Sequence, residues 1–158
     1  MSAIVDAATS RRSFLLGAAG VLAAGRLPRA SAQSSNKARE FTLTAAKGRA
    51  PFVRAQLETD VWCYDGVVPG PLIRSRQGET IRVAVDNRLG EDTTVHWHGI
   101  RLPIAMDGVP GISQRPIAPG QRFTYEFTPP DAGTFWYHPH ADRLQQLGRG
   151  LAGAFIVD

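Results

Sequence analysis

Glu79-Thr80-Ile81-Arg82-Val83-Ala84-Val85 is the stretch whose reading decides the fold. Ile81, Val83 and Val85 recur at every second position, so in an extended chain they share one face while Arg82 and Ala84 take the other. Gln121-Arg122-Phe123-Thr124-Tyr125-Glu126-Phe127 repeats the pattern with aromatic residues, predicting that Phe123, Tyr125 and Phe127 point inward. Outward from these two runs, Thr134-Phe135-Trp136-Tyr137-His138 and Leu151-Ala152-Gly153-Ala154-Phe155-Ile156-Val157 read as further strands. Breakers separate them at short intervals: Gly66, Pro69-Gly70-Pro71, Gly78, Gly90, Pro119-Gly120, Pro129-Pro130 and Gly133. This is the punctuation of an all-β chain. One segment, Asp142 to Gly148, reads as a short helix with Asp142 as its N-cap. Seven or eight short strands in about 126 residues suit one Greek-key β-sandwich. The stretch from Gly99 to Gly120 is long for a connection and rich in Pro and Gly, which marks it as functional.

The first 32 residues have a different character. Ser10-Arg11-Arg12-Ser13-Phe14-Leu15-Leu16 leads into an apolar stretch to Gly25 and then Ala30-Ser31-Ala32. A charged start, a short apolar run and a small-residue cleavage site describe a signal peptide. The paired arginines before Phe and Leu resemble the twin-arginine export signal. The expected layout is a signal at 1–32 cleaved after Ala32, a short linker at 33–39 and one domain over 40–158. The expected location is the periplasm or the exterior, reached already folded.

The 158-residue chain carries 18 Lys and Arg against 14 Asp and Glu, a formal charge of +4. Four of those arginines and one acid lie in residues 1–32, which leaves 14 bases against 13 acids beyond. A nearly neutral domain has no basic footprint for nucleic acid. No apolar run reaches the ~18–20 residues that cross a bilayer. A hydrophobic content of 43% excludes a disordered chain. The single cysteine, Cys63, excludes an intrachain disulfide and any Cys-rich metal site.

All four histidines fall in two His-x-His pairs, Thr94-Val95-His96-Trp97-His98-Gly99 and Trp136-Tyr137-His138-Pro139-His140. On a strand, i and i+2 point to one face about 6.5–7 Å apart, so two paired strands would gather four imidazoles on one patch. Imidazole suits copper, zinc, iron or nickel. Three histidines could also hold a catalytic zinc with an open water position, as in a hydrolase or hydratase. That leaves the fourth without a role, and pairs of pairs suit a polynuclear centre better. Trp97 and Trp136 are expected to pack in the core or shield the site.

His96-Trp97-His98-Gly99, Asp107-Gly108, Ile117-Ala118-Pro119-Gly120 and Gly133-Thr134-Phe135-Trp136-Tyr137-His138-Pro139-His140 resemble the N-terminal plastocyanin-like (cupredoxin) domain of multicopper oxidases. Asp65-Gly66, Pro69-Gly70-Pro71-Leu72-Ile73 and Gly150-Leu151-Ala152-Gly153 match it too, so the resemblance spans about residues 40–158. It implies copper as cofactor, with His96 on a type 2 ion, His98 on a type 3 ion, and His138 and His140 each on one of the two type 3 ions. Such a cluster reduces O2 to water with electrons from a distant type 1 copper. Asp107 matches an acidic residue on the proton route; it reads equally as a turn residue before Gly108.

The family completes the cluster with His-x-x-His-x-His and His-Cys-His from a C-terminal domain, and neither motif occurs here. Cys63 has no histidine within thirty residues and reads as a buried small hydrophobe. Arg115 stands where plant and fungal laccases often carry a Cys. The expected function is therefore half the histidines of a copper cluster, incomplete for catalysis until a further domain arrives in cis or from another subunit. A stand-alone copper-binding or delivery module is the alternative.

Overall fold

The computed structural model describes residues 37–52 and 57–158, so the expected export signal and the first part of the expected linker lie outside the described residues. The compact unit carrying the sandwich runs Asn36–Asp158. Its strands in chain order are β1 Arg39–Pro51, β2 Glu58–Tyr64, β3 Gly70–Ser75, β4 Ile81–Asn87, β5 His96–His98, β6 Arg122–Phe127, β7 Gly133–His138 and β8 Gly153–Val157. One short helix, α1 Arg143–Gly148, sits between β7 and β8. The strands form two four-stranded sheets, ordered β2-β1-β4-β6 and β3-β8-β7-β5. The chain changes sheet repeatedly, which is why β1 pairs parallel with β4 and β3 parallel with β8 while the other pairs are antiparallel. The fold is an all-β Greek-key sandwich, as its strand pattern predicts, and of the cupredoxin type that the resemblance implies.

The alternation of the deciding stretch is the alternation of the structure. Ile81, Val83 and Val85 are fully buried, and Tyr125 and Phe127 join them across the β4–β6 ladder. Phe123 packs against this core while only partly buried. From the second sheet, Trp97, Tyr137 and Phe155 close the core with no exposed surface. Trp97 lies at its centre, with its ring 5.1–6.0 Å from those of Tyr125, Phe127, Tyr137 and Phe155. Gly153 is what lets Tyr137 in, because a Cβ there would overlap the Tyr137 ring. The Tyr137 hydroxyl then donates to the Pro71 carbonyl at 2.6 Å. Cys63 is buried in a small satellite with Ala50 and Val61. Burial pushes its thiol pKa up, the behaviour of an inert core cysteine.

Two local expectations change. Asp142 stands at the N-cap of α1, but in the left-handed region (φ 37°, ψ 57°) and with no side-chain cap hydrogen bond. Its carbonyl starts the helix instead, accepting from the Gln146 amide at 3.0 Å. The second histidine pair is not a strand pair. β7 ends at His138, because Pro139 has no N–H to continue a ladder.

Candidate metal centre

β5 and β7 are antiparallel neighbours in the register His96↔His138, Trp97↔Tyr137 and His98↔Trp136. Facing residues of a ladder share a side, and alternate residues along each strand do too. That arithmetic sorts the two motifs completely. Trp97 and Tyr137 go to the core; His96, His98, Trp136 and His138 go to the other face.

The nitrogens of His96, His98 and His138 that could ligate a metal all lie within 4.8 Å of one another. His140, two residues beyond the end of β7, brings its ring centroid 5.1 Å from that of His96 and 6.0 Å from that of His138. The structure thus brings all four predicted histidines together, three as a tight group and the fourth against His96.

Ring orientations are set by backbone carbonyls. His96 Nδ1 lies 2.7 Å from the Asp107 carbonyl and 3.2 Å from the Asp107 carboxylate. His138 Nδ1 lies 2.9 Å from the Pro139 carbonyl. A carbonyl only accepts, so both rings carry their proton on Nδ1 and present Nε2 as the free donor atom. His138 Nε2 in turn lies 3.3 Å from His98 Nδ1. Imidazole nitrogens bind a borderline divalent ion at about 2.0–2.1 Å, which puts two on one ion about 3.3 Å apart at a tetrahedral angle. His98 and His138 therefore stand at the spacing of a shared metal.

Burial lowers the pKa of His138, the Pro139 carbonyl opposes this, and the other three imidazoles add to the lowering. Burial also lowers that of His140, helped first by His96 and Arg143 and opposed by Asp107. Both rings are neutral at pH 7, the state that binds a metal. Asp107 reaches this patch through Gly108, which has φ +75° and packs where a Cβ would overlap the Val95 carbonyl. Only glycine allows the Gly99–Gly120 loop to press down there, so the long loop does carry a contact to the site.

Sequence reasoning offered Trp136 either the core or the site, and the structure puts it at the site, against the histidine rings. Its indole stacks on His138 at 4.1 Å between centroids with the planes 28° apart, and lies 4.9 Å from His98. The signal was present: Trp136 sits two residues before His138, hence on the same face. Sequence reasoning missed Thr93, Thr94 and Gln146, for which no local pattern gives a sign.

A family model described as multicopper oxidase matches residues 46–158. The chain belongs to the multicopper oxidase family. Copper resistance protein A of Escherichia coli is 38% identical over 160 residues, covering 95% of this chain and 26% of its own length. Multicopper oxidase MmcO of Mycobacterium tuberculosis is 42% identical over 152 residues, covering 96% of this chain and 29% of its own. Among solved structures, a multicopper oxidase from Pseudomonas thermotolerans superposes with a TM-score of 0.74 at 48% identity, over 77% of this chain and 30% of that one. The chain spans between a quarter and a third of the length of these relatives. The all-nitrogen donor set is compatible with the metal for which the multicopper oxidases are named.

Proposed function

We propose that this cupredoxin-like domain, residues 40–158, supplies four of the histidine ligands of a type 2/type 3 trinuclear copper centre. In this reading His96 holds the type 2 ion through Nε2, His98 and His138 share one type 3 ion, and His140 serves the other. The observation that carries it is the convergence of His96, His98 and His138 on one patch, with His98 Nδ1 and His138 Nε2 3.3 Å apart. Bound copper supplies the capacity to pass electrons from a reduced donor to O2, which becomes water.

The chain's own residues prepare that chemistry. The Asp107 carbonyl keeps the His96 proton on Nδ1, while the Asp107 carboxylate, 3.2 Å from the same nitrogen, can hold and hand on protons that oxygen reduction consumes. The remaining ligands and the electron-entry site come from a further cupredoxin domain, in the same chain or in a partner subunit. Residues 1–32 act as a twin-arginine signal, residues 33–39 as a linker, and the folded protein works in the periplasm or outside the cell. Among the described residues no helix is long and apolar enough to cross a membrane.

Copper titration of the 158-residue chain, followed by electron paramagnetic resonance, tests the ligand assignment. Nitrogen hyperfine structure from imidazole is expected, and it should vanish when all four histidines become alanine. Unchanged stoichiometry in that variant would overturn the reading.

A further inference from the structure

The β5–β7 ladder explains how three imidazoles are held and leaves the fourth unexplained. The ladder runs only from His96↔His138 to His98↔Trp136, and His140 lies beyond its end. What fastens His140 is a set of buried and partly buried hydrogen bonds to the segment leading into β5. The His140 main-chain amide donates to Thr94 Oγ1 at 3.2 Å. Thr93 Oγ1 donates to Gln146 Oε1 at 2.7 Å, and Gln146 Nε2 donates to the Asp92 carbonyl at 2.7 Å. Thr93 is itself anchored by its main chain, exchanging hydrogen bonds of 3.1 and 2.8 Å with Ile117.

Thr93, Thr94 and Gln146 are all fully buried, and none of their side-chain polar atoms is among those left without a partner. Burying three polar side chains in a small sandwich is costly unless their hydrogen bonds are made. Every hydrogen-bond partner of these three side chains belongs to one of the two histidine-bearing segments. Apolar packing could fill the same space, but it is not directional. Hydrogen bonds fix a spacing to within tenths of an ångström.

We propose that Thr94 and Gln146 are positioning residues: they clip the His138–Gly148 segment to residues 92–94 and thereby set the 5.1 Å separation of the His96 and His140 rings. Resting on the copper reading above, the clip sets the distance between the ion on His96 and the ion on His140. The ladder sets the ion shared by His98 and His138 independently.

The test uses the metal-free 158-residue chain and nuclear magnetic resonance on wild type, Thr94→Val, Thr94→Ser and Gln146→Leu. Thr94→Val removes the hydroxyl with little change in volume. It should lower protection of the His140 amide from exchange about five- to tenfold, the worth of one hydrogen bond. It should also weaken the cross-ring effect between His96 and His140 while leaving that between His98 and His138 intact. Thr94→Ser restores the acceptor and should restore both signals. Gln146→Leu should act like Thr94→Val, and it carries the test if the valine variant does not fold. Retained His140 protection and an unchanged His96–His140 contact in the folded variants would overturn the proposal. Copper titration of the same variants should show selective weakening of the His140-dependent ion. A wild-type chain that takes no copper through its histidines would sink the copper reading alone, because the two resonance measurements need no metal.

Discussion

The two faces of the β5–β7 strand pair carry the same kinds of residue for opposite ends. On the inner face Trp97 and Tyr137 are fully buried, and Trp97 touches four aromatic rings of both sheets. On the outer face Trp136 is only partly buried, stacks on the His138 imidazole and lies beside that of His98. A tryptophan facing in holds the sandwich together; a tryptophan facing out braces imidazole rings. The difference teaches that one strand pair can hold fold and site together, since alternation keeps their residues from competing for space.

Trp97→Ala should break the inner face and have the largest effect. Removing a fully buried indole costs about 3–5 kcal/mol, read as a lower denaturation midpoint, with copper affinity of the surviving folded fraction little changed. His98→Ala should do the reverse. Stability should stay within about 0.5 kcal/mol, as for an exposed side chain. Affinity for the ion shared with His138 should fall at least about a hundredfold, since disturbing an outer-shell partner alone costs ten- to a hundredfold. Equal losses of stability from the two substitutions would erase the distinction between the faces.

Trp136→Ala sharpens the comparison. Copper affinity should fall about tenfold through looser His98 and His138 rings, as for other outer-shell partners, and Trp136→Phe should recover most of it. Calorimetry of copper binding against thermal melting separates this from a loss of fold. The smallest effect is one of pH. Burial holds the His138 pKa below its unfolded value, so the unfolded chain takes up the proton first as pH falls. The stability of the metal-free chain that depends on neutral His138 should be present above pH about 6.5 and lost as pH drops through the lower folded value. A pH series of urea melts on wild type and His138→Gln checks this; the fall should be reduced in the glutamine variant.

Much of this molecule was legible in the sequence. The alternations at Ile81–Val85 and Phe123–Phe127 marked β4 and β6, and the two His-x-His pairs marked the metal patch, because both are statements about neighbours two residues apart. The fate of His140 was not legible. Its spacing from His138 equals that of His98 from His96, yet Pro139 ends the strand and irregular chain beyond it carries the ring to His96. Asp107 was named from its motif, but its main-chain carbonyl, not its carboxylate, makes the shorter contact with His96. Main-chain acceptors have no letter in a sequence. Gln146 gave no sign either, since a glutamine on a short helix is ordinarily solvated.

By itself, then, the sequence determined the fold class, the four ligand candidates and the family, all of which rest on periods and motifs within a few residues. Only the tertiary structure decided the register that faces His96 with His138, the 3.3 Å approach of His98 to His138 and the polar clip on His140. Each of these joins segments about 40 residues or more apart. Their spacing depends on how two sheets pack and where buried donors find acceptors, which no local pattern encodes.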